Sequence, residues 1–289
     1  IPEACGDLVR RGHQVLCEQG AGVGSGFTDD AFEAAGAAIV ESADRLFAEA
    51  EIIVKVKEPW GKEVDLLRRD QVLFSFLHLA ADPELTRRLQ SIGLTAIAFE
   101  TLEYGGSLPV LAPMSDIAGR LAVQFGTTLL YRPNGGKGVL LGGMPAAERG
   151  QVVVLGAGNA GAAAVRMAAS TGSCVVVFDR KPDKLAEMRR AGPNVTTLYP
   201  YADTVSKAVA HADLLVGAVL VPGARTPRLI SEEQVASMAP GSVIVDISVD
   251  QGGCIETTRP TTYENPTYVA HEVVHFGVTN MPGAVPRSA

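Results

Sequence analysis

The sequence has few cysteines, and none of them in CxxC spacing: Cys5, Cys17, Cys174 and Cys254 are scattered over 289 residues. That argues against a disulfide-built secreted scaffold and for free thiols in a reducing compartment, the cytoplasm. There is no uncharged apolar run of about 18 residues, so no transmembrane helix is expected. Basic excess is also missing. Lys and Arg number 25 against 32 Asp and Glu, a net charge of −7, which excludes nucleic acid or a membrane surface as the main partner. No internal repeat, low-complexity tract or leader-like order of basic, apolar and small residues is visible. What is present suffices for a large core: 47% of residues are hydrophobic and 20% charged, outside the range of disordered chains. At roughly 100–200 residues per domain, the length suits two domains.

Strand and helix patterns alternate along the whole chain. His13 to Cys17 reads as a strand, and Asp29 to Ala38 as a helix with Thr28 as its N-cap. Ile52 to Lys57 reads as a strand stopped by Pro59, Val72 to Leu77 as another ending at His78, and Pro83 to Ile92 as a helix. Such alternation implies parallel βαβ units. Gly105 to Pro113 reads as a break suited to an interdomain hinge, and 114–130 as a helix. From Gln151 onward a doubly wound parallel sheet is written in order, with strands at 152–155, 175–178, 195–198, 214–219 and 243–247 and helices between them.

Within that order, Gly156-Ala157-Gly158-Asn159-Ala160-Gly161 follows a strand and opens a helix. The first glycine permits a tight turn, the second lets a pyrophosphate approach the backbone, and the third lets helix and strand pack closely. The helix N-terminus offers free N–H groups to the anion. Asp179 ends the next strand at the spacing where a carboxylate accepts hydrogen bonds from the adenosine ribose hydroxyls, which favours NAD over NADP. Arg180 and Lys181 beside it pull the other way.

Three ionisable residues stand at expected carboxyl ends of strands, where open α/β sheets bind ligands. These are Lys57, on one face of its strand with Lys55; His78, on the face of Phe74 and Phe76; and Asp250, before Gln251-Gly252-Gly253. Taken singly, each is more often a solvated lysine, a satisfied histidine or a turn former. Their placement together beside a dinucleotide site makes them candidates for proton transfer and substrate binding. Two patterns are decoys. His271-Glu272-Val273-Val274-His275 fits HExxH, but its β-branched and aromatic surroundings favour a strand. There, residues four apart lie about 13 Å apart, too far for one metal. Asn134 to Gly138 lacks the Ser or Thr and the preceding strand of a phosphate loop. No metal is expected.

The motifs converge on one family. Arg10 to Leu16, Val54-Lys55-Val56-Lys57-Glu58-Pro59, Phe76-Leu77-His78-Leu79-Ala80-Ala81 and Leu111 to Ser115 are among the matching segments. So are Gly156 to Gly161, Gly217 to Gly223, Asp250-Gln251-Gly252-Gly253-Cys254, Arg259 to Thr262 and Thr279 to Pro286. With these the chain resembles the alanine dehydrogenases, which share a fold with the NAD-binding component of proton-translocating transhydrogenases. The resemblance covers nearly the whole chain. It implies reversible NAD-dependent oxidative deamination of L-alanine to pyruvate and ammonium. It further implies that Lys57 binds the substrate carboxylate and carbonyl region, that His78 hydrogen-bonds the substrate oxygen, and that Asp250 serves in proton transfer and water activation. Ser115, Asp179, Asn280, Val219, Leu220 and Ile247 to Asp250 match cofactor-contacting positions, together with Gly156, Gly158, Asn159, Ala160 and Gly161. A homohexamer is implied as well.

The expected architecture is two Rossmann-like α/β domains around a cleft: a substrate domain over 1–112 and an NAD-binding domain over 113–286. The family carries a substrate-carboxylate arginine upstream of the part matching Ile1-Pro2, and continues past Arg287 with helices that return to the first domain. Both ends therefore read as cut from a longer parent, with 287–289 the start of that return. Two other readings stand beside the dehydrogenase: a transhydrogenase NAD(H)-binding component, and a truncated, non-catalytic NAD-binding protein. A dehydrogenase or cyclising deaminase for another amino acid is also open, because pocket shape is not written in the sequence.

Overall fold

A computed structural model describes residues 1–79, 82–219 and 226–289. The chain divides into two compact units, one of Ile1–Leu111 with Val285–Ala289 and one of Ala112–Ala284. In the first, the elements run α1 (Pro2–Arg10), β1 (Leu16–Glu18), α2 (Asp29–Ala34), β2 (Ala38–Val40), α3 (Ala43–Glu49), β3 (Ile52–Val54), α4 (Glu63–Leu66), β4 (Val72–Ser75), α5 (Pro83–Ile92) and β5 (Thr95–Ala98). Strands β1 and β2 pair in parallel, as do β3, β4 and β5 in that order. Ile53, Leu73 and Leu77 bury one face of the larger sheet with Phe47, Val64, Leu85 and Leu89 of the helices. The C-terminal residues belong to this unit. The Arg287 guanidinium lies 4.1 Å over the Phe27 ring and donates to the Gly26 carbonyl at 2.8 Å.

The second unit opens on α6 (Leu111–Leu129) and continues β6 (Gln151–Leu155), α7 (Asn159–Ser170), β7 (Cys174–Phe178), α8 (Pro182–Arg189), β8 (Val195–Leu198), α9 (Ala202–Ala210), β9 (Leu214–Gly217), α10 (Glu232–Ala236), β10 (Val243–Asp246), β11 (Thr267–Ala270) and β12 (Val273–Phe276). Its sheet has the order β11-β12-β10-β9-β6-β7-β8. All neighbours are parallel except β11 and β12. Strands β9 and β10 are buried along their length, as expected for parallel strands covered on both faces. Among the described residues, no helix is long and apolar enough to cross a membrane.

Several boundaries differ from the sequence reading. The helix from Asp29 stops at Ala34, and residues 38–40 form a strand, because Gly36 takes a left-handed φ of 95° that ends the helix. The strand expected at 13–17 is Leu16–Glu18. Helix α6 begins at Leu111 and contains Pro113. A proline in the first turn loses no helical hydrogen bond, so the break placed there is shorter than expected. The run from Tyr268 to Thr279 is not one strand. The chain reverses at His271 and Glu272, with φ of 51° and 59°, giving the antiparallel hairpin β11–β12.

His275 lies on β12 with 1% of its surface exposed. It bonds the Val273 carbonyl at 2.9 Å through Nδ1 and Thr257 Oγ1 at 2.8 Å through Nε2. Burial first, then the positive charges of His271 and Arg259, hold its pKa below the usual histidine value despite the bond to Val273. Protonation is thus easier in the unfolded chain, and stability from this site is complete above about pH 6.5 and lost as pH falls below it. Equilibrium unfolding between pH 7.5 and 5.5 should show a steeper loss in wild type than in His275→Gln. Equal slopes would assign the acid sensitivity elsewhere.

Candidate active site

The second unit presents its loops at the carboxyl ends of β6, β9 and β10, and the strand order reverses between β6 and β9. Such a switch point opens the crevice in which doubly wound sheets bind ligands. Gly156 leaves β6 with φ 94°, and a Cβ there would meet the Ala218 carbonyl oxygen at 2.7 Å. At Gly161 a Cβ would lie 1.8 Å from the Gly156 oxygen, so α7 rests directly on the turn. A Cβ on Gly158 would meet nothing within 4 Å. The three glycines therefore serve conformation, open approach and packing separately. Gly158 is the N-cap of α7 and has no side-chain cap, and the first helical bond is Ala162 N–H to its carbonyl at 2.8 Å. The amides of Asn159, Ala160 and Gly161 precede that bond and carry the positive end of the helix dipole.

Asp179 follows β7, half-buried, and accepts the Ala157 N–H at 2.7 Å and the Lys181 N–H at 2.8 Å, one on each carboxylate oxygen. Each oxygen keeps lone pairs for a further donor, such as a ribose hydroxyl. Helix α6 packs against the same turn. A Cβ on Gly119 would be 2.0 Å from the Ala160 oxygen, and one on Gly126 would be 2.5 Å from Leu214 Cδ1. Ser115 precedes Gly119 by one helical turn, on the same face and half-buried.

The loops after β9 and β10 are tied together. Asp246, fully buried, accepts the Ser248 and Cys254 amides at 2.9 Å each and the Ile255 amide at 3.3 Å. Its carboxylate thereby staples both ends of the 247–255 loop. Burial raises its pKa against the opposing effect of these bonds. Ser248 Oγ donates to the Val219 carbonyl at 2.8 Å. Ile247 opens the short 3-10 turn Ile247–Gln251 that presents Asp250. Asp250 is exposed, and its Oδ2 accepts the Asn280 N–H at 3.4 Å. Asn280 holds φ 54°, a value asparagine tolerates better than most side chains. Leu220 lies outside the described residues.

In the first unit the ladder between β3 and β4 continues past Val54, with Lys55 N–H on the Phe74 oxygen at 3.2 Å and Phe76 N–H on the Val56 oxygen at 3.1 Å. Lys57 follows, exposed. The two lysines thus separate in role. Lys55 pairs with Glu63 and reaches the Glu58 carbonyl at 3.4 Å, while Glu63 also accepts the Trp60 N–H at 3.0 Å. This bracing fixes the turn that carries Lys57. His78 sits beyond the end of β4, half-buried, with φ 49°. Its ring stacks on Phe76 at 6.0 Å, and Phe76 packs edge-on against Phe99 at 5.1 Å.

Sequence reasoning missed Glu63, Gly119 and Asp246. Gly119 and Gly126, two turns apart on a helix, and an aspartate closing the apolar run Val243 to Val245 were the available signals. The decoys resolve in the fold. His271 bonds Glu232 at 2.7 Å from the hairpin turn, and Lys137 pairs with Asp213. Among the described residues no group of three or more His, Cys, Asp or Glu could hold a metal ion. Cys5, Cys17, Cys174 and Cys254 are free thiols.

Family models described as alanine dehydrogenase/PNT match the chain twice, the N-terminal domain over residues 1–118 and the C-terminal domain over 122–289. Alanine dehydrogenase of Bacillus subtilis is 48% identical over all of this chain and 76% of its own length. That of Mycobacterium tuberculosis is 49% identical over all of this chain and 78% of its own. Among solved structures, an L-alanine dehydrogenase at 51% identity superposes with a TM-score of 0.94, covering all of this chain and 80% of that one. A transhydrogenase from Sinorhizobium meliloti, at 27% identity, reaches 0.86 over all of this chain and 84% of its own.

Proposed function

Because the chain belongs to the alanine dehydrogenase/PNT family, we propose that it catalyses the NAD-dependent oxidative deamination of L-alanine and its reverse. The balanced reaction is L-alanine, NAD⁺ and water to pyruvate, ammonium, NADH and a proton. The observation that carries the reading is the cradle at the switch point, with Gly158 open, three helix amides ahead of the first intrahelical bond and Asp179 already oriented, in a chain 48–49% identical to alanine dehydrogenases. The transhydrogenase reading rests on the more distant relative.

The residues fit NAD, which when bound accepts hydride from the substrate Cα. Asn159, Ala160 and Gly161 would hold the pyrophosphate through their amides, and Asp179 the adenosine ribose. Ser115, Val219, Leu220, Ile247 and Asn280 complete the proposed contacts. Arg180 and Lys181 do not offset the carboxylate, since a 2′-phosphate would meet a charge fixed in place by two amides.

Lys57 anchors the substrate carboxylate and stabilises the oxygen that becomes the pyruvate carbonyl. Hydride loss leaves an iminium, which water attacks at carbon. Asp250 takes the proton from the amine or the attacking water. His78 exchanges a proton with the carbinolamine oxygen as ammonia leaves, a task for an imidazole, which can both donate and accept a proton. The proposed setting is the cytoplasm, which the free thiols support, and the proposed assembly is a homohexamer.

Purified protein assayed by NADH absorbance should turn over L-alanine with NAD, and pyruvate with ammonium and NADH. NADP should support far less turnover. Tight NAD binding with no turnover in either direction would overturn the alanine reading and leave a non-catalytic NAD binder.

A further inference from the structure

Glu100 follows β5 and reaches across to the end of β4. Its Oε1 accepts the His78 N–H at 2.7 Å and the Leu77 N–H at 3.2 Å, and Oε2 accepts the Leu77 N–H at 3.3 Å. The β4–β5 ladder stops at this point. Phe99 N–H still bonds the Ser75 oxygen at 2.9 Å, but the next donor on β4 turns to a side chain instead of a backbone carbonyl. The chain there is in a conformation that side-chain-bearing residues seldom adopt, since His78 has φ 49°. Left-handed backbone at a side-chain-bearing residue is strained and persists where the surroundings over-determine it. Two consecutive amides converging on one carboxylate supply that constraint, and bonds to a charged acceptor are the stronger kind. The ring of His78 is restrained separately, by stacking on Phe76.

We infer that Glu100 is a positioning residue for the deamination reaction, holding the left-handed turn that aims His78 at the substrate. The inference rests on the alanine dehydrogenase reading and on the role given there to His78. It assigns Glu100 no proton to transfer. Because Oε1 alone reaches both amides, an uncharged acceptor of the same shape keeps most of the restraint. That separates positioning from acid–base chemistry.

The test measures kcat/KM in both directions for Glu100→Ala, Glu100→Gln, His78→Asn and the double variant Glu100→Ala/His78→Asn, with NAD affinity and thermal midpoint recorded for each. His78→Asn is chosen because asparagine tolerates left-handed φ. The expected result is a loss of about 100-fold for Glu100→Ala, the scale on which small misplacement of a reacting group acts. Most of that rate returns in Glu100→Gln, and NAD affinity holds within about twofold. In the His78→Asn background, Glu100→Ala should cost less than about twofold more, since a residue acting only through His78 has nothing left to aim.

Three results overturn the inference: wild-type rates in Glu100→Ala, a loss in Glu100→Gln equal to that in Glu100→Ala, or an undiminished loss in the His78→Asn background. Full activity in His78→Asn alone would instead remove the role given to His78. Should Glu100→Ala not fold, Glu100→Asp replaces it. Aspartate keeps the charge but withdraws the oxygen by one methylene, so it must lose rate as alanine would, and a wild-type rate counts against the inference.

Discussion

His78→Asn should lower kcat/KM for alanine deamination and for pyruvate amination by about 10²–10⁴-fold, the range that a positioned general acid–base contributes. Asparagine keeps a residue suited to the left-handed turn at φ 49° and can still donate a hydrogen bond, but it cannot exchange a proton near neutrality. Asp250→Asn should fall by a similar factor. The amide preserves the shape of a side chain whose Oδ2 accepts the Asn280 N–H, yet offers no basic oxygen to the amine or to water. NAD affinity, measured by NADH fluorescence, should change little for His78→Asn, because the candidate cofactor residues lie in the other unit. Turnover near wild type in either variant would remove that residue from the proposed mechanism.

The second large effect concerns the glycine turn, where two small substitutions should part company. Gly161→Ala sets a methyl 1.8 Å from the Gly156 oxygen, between two backbones that cannot rotate out of the way. Helix α7 must lift off β6. A destabilisation of about 3 kcal/mol or more is expected, at the upper end for overpacked cores, with NAD binding lost alongside. Gly158→Ala adds the same methyl where no atom lies within 4 Å, at φ −68° and ψ −170°, which alanine adopts freely. Its thermal midpoint should match wild type while NAD affinity falls at least tenfold, since the methyl projects toward the expected pyrophosphate. Calorimetry and NAD titration on both variants check this. Equal midpoints, or unimpaired NAD binding by Gly158→Ala, would contradict the division of roles.

Legibility in the sequence followed the range of the forces involved. Strands β6, β7, β9 and β10 could be read because they are largely buried and so carry apolar runs. The first unit was harder. Its strands β1, β2 and β3 have three residues each, too few for a period of two to declare itself. The helix that ended early at Ala34 did so through the left-handed Gly36, a backbone event inside an otherwise helical pattern. For the candidate site, residues in local motifs, from Gly156 to Gly161 and at Asp179, were visible because strand, turn and helix are consecutive. Glu100 and Glu63 were not. Each binds a backbone amide or an ammonium on another segment, and nothing in the spacing of either glutamate announces its partner. Asp246 differs again: it lies next to its loop, but only burial reveals that its carboxylate closes both ends.

The unequal duties of the three glycines bear on how such a motif ages. Gly156 answers to the turn and Gly161 to the contact between helix and strand, so both are demanded by the fold whether or not a nucleotide ever arrives. Gly158 alone faces open space and answers only to the ligand. In a descendant lineage that had abandoned its coenzyme, selection would go on guarding the outer two and release the middle one to drift. Kinship to a working enzyme would still be legible in the outer pair, but whether the pocket is in use would be recorded at the middle position.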